Sequence, residues 1–196
     1  MGRKILVVVD MQNDFLTGAL RNEEAIKIIS YVVDKVKKAT EDENTVVVFT
    51  RDTHDEYNYM NTIEGKNLPV PHCLKNTEGW EIIDELKPYV ETVINKNTFG
   101  SLHLGNYIGN LNDEYVNRQK KGEDIKIDEI EFIGVCTDIC VISNVLLTKA
   151  IVPNVEITVD AACCAGVTPE SHNTALAAMK ACHIHVLNEG NEPWRQ

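Results

Sequence analysis

Short apolar runs alternate with stretches of helical periodicity along the whole chain, and this alternation restricts the fold more than any single residue does. The first run, residues 5–9, is continuously apolar, as a strand covered on both faces has to be. Asn22 then stands where a helix cap belongs, ahead of Ala25, Ile28, Ile29, Val32, Val33, Val36 and Ala39 at helical spacing. Residues 45–50, 91–95, 131–135, 155–159 and 183–187 read as five further strands. Residues 80–86 read as a short helix stopped by Pro88, residues 138–151 as a helix ended by Pro153, and residues 169–181 as another. Residues 101–126 are helical in part, with 119–124 as a solvated charged surface, and the tail from Asn188 onward reads as a surface arm. Strand–helix alternation with right-handed crossovers predicts an α/β fold: a three-layer sandwich around a six-stranded parallel sheet, in one domain over residues 1–196.

In such sheets, ligand sites lie outside the carboxyl ends of the strands. Asp10 follows the first strand, Arg51, Asp52 and His54 the second, Lys96 the third, and the segment from Cys136 to Cys140 the fourth. Residues 51–79 form a long polar connection, and one of that length inside a compact domain is usually functional.

Charge narrows the partners. A formal net charge of −11 argues against nucleic acid or an anionic membrane as a partner held by charge. The N-terminal apolar stretch of five residues is too short for a signal-peptide core or a membrane span, so a cytoplasmic protein is expected. The six cysteines show no CxxC spacing, and Cys73, Cys163, Cys164 and Cys182 read as small buried hydrophobes.

Cys140 differs. The segment Gly134-Val135-Cys136-Thr137-Asp138-Ile139-Cys140-Val141 takes a strand through a turn into a helix whose first turn carries the thiol. The positive helix end favours thiolate there, and free backbone N–H groups in the same turn can hold an oxyanion. A buried structural cysteine fits the same local pattern. Asp10 ends a strongly apolar strand, where an unpaired carboxylate is costly. With Lys96 it forms either a plain ion pair or, beside Cys140, a hydrolytic triad in which Asp10 moves the proton and Lys96 stabilises the thiolate. Asp52, His54, Glu64 and His72 are a donor set suited to Zn²⁺, with Fe²⁺ or Mn²⁺ as alternatives, although polar loop residues without a metal fit the spacing too.

The chain resembles the isochorismatase-like cysteine hydrolases, and within them the nicotinamidases. The resemblance is carried by Val8-Val9-Asp10-Met11-Gln12-Asn13-Asp14-Phe15, Thr50-Arg51-Asp52-Thr53-His54, Leu68-Pro69-Val70-Pro71-His72-Cys73, Lys96, the segment around Cys140, Asp160-Ala161-Ala162 and Ser171-His172-Asn173-Thr174-Ala175-Leu176. It implies a Rossmann-like sheet, an Asp10–Lys96–Cys140 triad, an oxyanion hole from the N–H groups of Cys136 and Cys140, and a cis peptide between Val135 and Cys136. It places Phe15 and Val135 against the substrate and a metal on Asp52, His54 and His72. Met60 stands where many nicotinamidases carry another histidine, and Glu64 replaces it as the fourth ligand. The implied activity is hydrolysis of nicotinamide to nicotinate and ammonia through a thioester, by a self-associating protein acting on a small-molecule amide. A related amidohydrolase acting on a carbamoyl or ureido compound is the alternative, and a non-catalytic binding protein on this fold is another. By the same reading His103 and His172 are surface or packing residues.

Overall fold

In the computed structural model, which describes residues 2–195, the first apolar run forms strand β1 (Gly2–Val9). Its side chains alternate between two cores. Ile5, Val7 and Val9 enter one cluster, and Leu6 and Val8 enter the other. Covering both faces removes all five from water, at about 1.5–3 kcal/mol for each large apolar side chain.

Five more strands complete the sheet: β2 (Thr45–Asp52), β3 (Val93–Lys96), β4 (Lys126–Val135), β5 (Glu156–Ala165) and β6 (His185–Leu187). Their spatial order is β3-β2-β1-β4-β5-β6, and every neighbouring pair is parallel. The helices are α1 (Asn13–Leu16), α2 (Glu23–Thr40), α3 (Ile63–Asn67), α4 (Leu102–Gln119), α5 (Ile142–Ile151) and α6 (Pro169–Ala181). Helices α4, α5 and α6 contribute to the cluster with Ile5, Val7 and Val9; α1 and α2 contribute to the other. The expected three-layer α/β fold with a six-stranded parallel sheet is therefore the observed one. Asn22 caps α2 by accepting the Ala25 N–H at 2.9 Å. Among the described residues, no helix is long and apolar enough to cross a membrane.

Four local expectations need correction. Residues 80–86 are not a helix. Their backbone pairs across to the start of α1 instead: Ile83 N–H donates to Met11 O at 3.1 Å and Asn13 N–H to Glu81 O at 3.0 Å. Strand β4 begins at Lys126, five residues earlier than expected, because its first half pairs with the start of β1 and Glu129 is matched by Lys4. The tail is no loose arm: Glu192 and Trp194 are buried, and Pro193–Arg195 is a 3₁₀ turn. Cys182 is exposed, while Cys73, Cys163 and Cys164 are buried. His172, expected at the surface or in packing, is fully buried.

Candidate active site

The strand order reverses at the boundary between β1 and β4, so chain connections leave this boundary in opposite directions and open a crevice at the carboxyl ends. Asp10 directly follows β1, Asp52 is the last residue of β2, Lys96 the last of β3, and Cys136 directly follows β4. The register aligns Asp52 with Lys96 and Val9 with Gly134. Gly134 has φ +113°, and a Cβ there would stand 2.1 Å from the Val9 carbonyl oxygen, so only glycine lets the two strand ends close up. The next peptide, Val135–Cys136, is cis, as the resemblance implies.

Lys96 is the hub. Its Nζ lies 2.6 Å from Asp10 Oδ2, 3.3 Å from Cys140 Sγ and 3.5 Å from Asp52 Oδ1. All four residues are buried. Burial works against the Lys96 charge, but Asp10, Cys140 and Asp52 around it raise its pKa well above the ordinary value, so it is an ammonium. Asp10 has φ +49°, a left-handed backbone that non-glycine residues adopt at a cost, and its Oδ1 accepts the Thr50 hydroxyl at 2.7 Å. Burial raises the pKa of its carboxyl, and Lys96 opposes that. The combination suits a group that takes up and returns a proton.

Cys140 does not follow the expectation of a ready thiolate. Burial pushes its thiol well up, and Lys96 only partly offsets this. The sulfur therefore needs a base, and Asp10 shares its ammonium partner with the thiol. Cys136 is also pushed up by burial, to about 12. Only Cys140 has a cation within hydrogen-bond distance of its sulfur among the contacts made by Lys96. The turn bearing Cys140, Thr137–Val141, is wider than an α-turn: both Ile139 and Val141 N–H donate to Cys136 O at 3.1 Å. Asn144 locks it from below, donating to Cys140 O at 2.8 Å while accepting from Ser101 N–H at 2.9 Å.

Beside Lys96, Asp52, His54, Glu64 and His72 converge, with one donor atom from each inside a span of 4.8 Å. His54 Nε2 is 2.9 Å from Asp52 Oδ2 and 3.6 Å from Glu64 Oε1; His72 Nε2 is 3.5 Å from both. Four tetrahedral ligands about 2.1 Å from a Zn²⁺ lie roughly 3.4 Å apart, so these spacings fit such an ion. The His72 Nδ1 pairs with Val70 O at 2.9 Å, which fixes the tautomer and turns Nε2 toward the carboxylates. Burial acts to lower the His72 pKa, yet hydrogen bonds to Asp52 and Glu64 raise it to about 10. Burial likewise acts to raise Asp52, but His54, His72 and Lys96 hold it well below the usual carboxylate range. The carboxylates thus demand positive charge at this point, which is the chemistry of a divalent-cation site. Gly65 keeps Glu64 within reach: a Cβ there would stand 2.2 Å from Tyr59 O, so α3 can lie against the preceding turn only without one.

A cavity of about 1250 Å³ opens over both groups, lined among others by Phe15, His54, His72, Phe99, Cys136 and Cys140. Phe15 stands edge-on to the His72 ring at 5.6 Å. Val135 has a fully buried side chain in the core cluster on the α2 side and is not part of the lining. Three positioning residues have no place in the residue-type reading of the sequence. Gln12, fully buried, accepts from Asp52 N–H at 2.7 Å and donates to Asp52 O and Trp80 O at 2.9 Å each. Asp14 accepts the Cys73 N–H at 2.7 Å and so anchors the loop bearing His72. Asn144 fastens the nucleophile turn. A polar residue directly after a buried strand end was the available signal for Gln12; nothing local marked Asn144.

Sheet order, crevice and converged side chains together describe a hydrolase built on a parallel, three-layer α/β sheet. The chain belongs to the isochorismatase domain family, whose model matches residues 4–189. It is 27% identical to a nicotinamidase of Saccharomyces cerevisiae over an alignment 220 positions long, covering 95% of this chain and 100% of that one. Among solved structures it is similar to a nicotinamidase/pyrazinamidase from Bacillus subtilis, with TM-score 0.75, 26% identity, and 94% and 99% of the two chains covered. It is also similar to a pyrazinamidase of Pyrococcus horikoshii in complex with zinc, with TM-score 0.72, 27% identity, and 94% and 98% covered.

Proposed function

We propose that this chain hydrolyses nicotinamide to nicotinate and ammonia through a thioester on Cys140. The observation that carries the reading is Lys96, in contact with Asp10, Cys140 and Asp52 at once. It joins a thiol–acid pair to a four-ligand cation site facing the same cavity. Its relatives named nicotinamidase and pyrazinamidase support the substrate class.

Asp10 takes the thiol proton, and Cys140 Sγ bonds to the amide carbon. The carbonyl oxygen becomes an oxyanion, received by the N–H groups of Cys136 and Cys140. As the C–N bond breaks, Asp10 delivers the proton and ammonia leaves. Water then attacks the thioester, giving its proton to Asp10. The C–S bond breaks, the acid leaves and loses its proton to solvent to become nicotinate, and the proton on Asp10 returns to Cys140. Lys96 stays protonated and stabilises the thiolate whenever it forms. Asp52, His54, Glu64 and His72 would hold a divalent ion, with zinc the first choice and iron or manganese the alternatives. When bound, that ion supplies a Lewis acid for the ring nitrogen and so orients the pyridine. Phe15 packs against the ring from the cavity wall.

The test is ammonia release from nicotinamide, pyrazinamide, N-carbamoylsarcosine and ureido compounds, with and without chelator. The reading expects turnover of the two ring amides and its loss on chelation. Preferential, chelator-insensitive turnover of a carbamoyl or ureido substrate overturns it.

A further inference from the structure

Outside the reacting groups, a second polar chain runs to the nucleophile turn from the opposite end of the sequence. Thr137, His172 and Glu192 are all fully buried. Thr137 Oγ1 lies 2.8 Å from His172 Nδ1, and His172 Nε2 lies 3.3 Å from Glu192 Oε1. Arg195 completes the charge balance on Glu192, with Nη2 at 3.2 Å from Oε1. The tail that supplies Glu192 is pinned by Trp194, whose indole N–H donates to Cys164 O at 3.2 Å and whose ring stands edge-on to His172 at 5.1 Å.

We propose that Glu192 and His172 act as positioning residues, holding Thr137 so that the flanking Cys136 and Cys140 keep the geometry of the nucleophile and its anion hole. The proposal rests on the thioester reading above.

Three arguments support it. The first is placement. Thr137 lies between the two residues whose N–H groups are assigned to the oxyanion, so a tether on Thr137 controls both. The second is polarity. Burial lowers the His172 pKa, so the ring is neutral, with one donor and one acceptor nitrogen. Burial acts to raise Glu192, but Arg195 overcomes it, so the carboxylate accepts from Nε2–H and leaves Nδ1 to accept the Thr137 hydroxyl. Each link thus has one direction. The third is cost. An apolar pair of similar volume would fill this space without burying a carboxylate and an imidazole, so packing alone does not call for these residues. Glu192 lies beyond the 4–189 segment matched by the family model, so this anchor comes from the chain's own tail.

The test compares wild type, Thr137→Val, Thr137→Ser, Glu192→Gln and the Thr137→Val/Glu192→Gln double variant as full-length, zinc-loaded protein. Thr137→Val should lower kcat for nicotinamide by about 10–100-fold, with KM within about twofold, because an anion-hole donor acts only on the transition state. Thr137→Ser keeps the hydroxyl and should restore most of the rate. Glu192→Gln should give a smaller kcat loss, and the double variant should be no slower than Thr137→Val alone, since both break one chain. Site-resolved alkylation of Cys140 by iodoacetamide should slow several-fold in Thr137→Val, and this arm does not depend on the substrate. Wild type that releases no ammonia from nicotinamide refutes the substrate reading, and the alkylation arm then decides the chain alone. If Thr137→Val does not fold, Glu192→Gln carries both readouts. Lowered melting temperature with unchanged kcat and alkylation, or losses that add in the double variant, would overturn the positioning role.

Discussion

Lys96 Nζ stands 3.5 Å from Asp52 Oδ1, so a single buried ammonium joins the thiol group to the two-histidine cluster. The same nitrogen is 2.6 Å from Asp10, which leaves it flanked by carboxylates from two strands. Register explains the arrangement. Asp52 and Lys96 are paired residues at the ends of β2 and β3, and Asp10 leaves β1 on the other side of β2.

Cys140→Ala should reduce ammonia release to background. The removed sulfur is small, so the melting temperature should shift by only a few degrees, a core change of about 1–2 kcal/mol. An ammonia assay and a thermal melt check this. Turnover retained at even a hundredth of the wild-type rate would remove Cys140 from the nucleophile role.

Lys96→Met should abolish activity and also destabilise the fold. It leaves Asp10 and Asp52 buried without their shared cation, a change that costs roughly 3–5 kcal/mol. Urea unfolding should show a lower midpoint. Adding Asp10→Asn should recover part of the loss, since one uncompensated carboxylate is then gone. A double variant less stable than Lys96→Met contradicts this account.

Zinc should raise the melting temperature of the wild type, because a ligand that binds only the folded chain at about 100 times its Kd adds about 2.7 kcal/mol. In His54→Ala that shift should vanish and bound metal should fall. Gly65→Ala should weaken zinc binding as well, by pushing α3 and Glu64 off the turn at Tyr59, while leaving Cys140 open to alkylation. Metal analysis and thermal melts decide; unchanged metal content in both variants would remove this loop from the site.

Acid should expose the buried His172. Its folded pKa lies below the unfolded value of 6.5, chiefly through burial. The folded state therefore binds fewer protons than the unfolded one. Stability from this residue is complete above about pH 6.5 and declines as pH falls through the folded pKa. Glu192, Arg195 and Asp138 are the charged groups facing the ring, and Glu192 lies below its ordinary value because Arg195 outweighs its burial. Between pH 6.5 and 5 the urea midpoint should thus fall more steeply in wild type than in His172→Gln. Equal slopes in the two proteins would show that His172 takes up no proton in this window.

The strands with unbroken apolar runs were legible from the sequence, as was the α2 cap at Asn22. The first half of β4 was not. Its Glu129 looks solvated until Lys4 is seen to cover it. The segment 80–86 has a helical composition, but its backbone groups find partners at Met11 and Asn13, about 70 residues away in sequence. Asp10, Lys96 and Cys140 could be grouped by the rule that sites gather at carboxyl strand ends. Gln12, Asn144 and the Thr137–His172–Glu192 chain could not, since each matters through a partner distant in sequence.

By itself the sequence determined the class of fold and the edge of the sheet at which reactive side chains gather. Both follow from local periodicity: side chains repeat in direction every two residues in a strand and every 3.6 in a helix. Only the tertiary structure decided which buried polar groups pair. It put one ammonium between two carboxylates and a thiol, and it brought the C-terminal tail beneath the nucleophile turn. Such pairing is set by how separate segments pack, because a buried charge must find its partner wherever the fold places one.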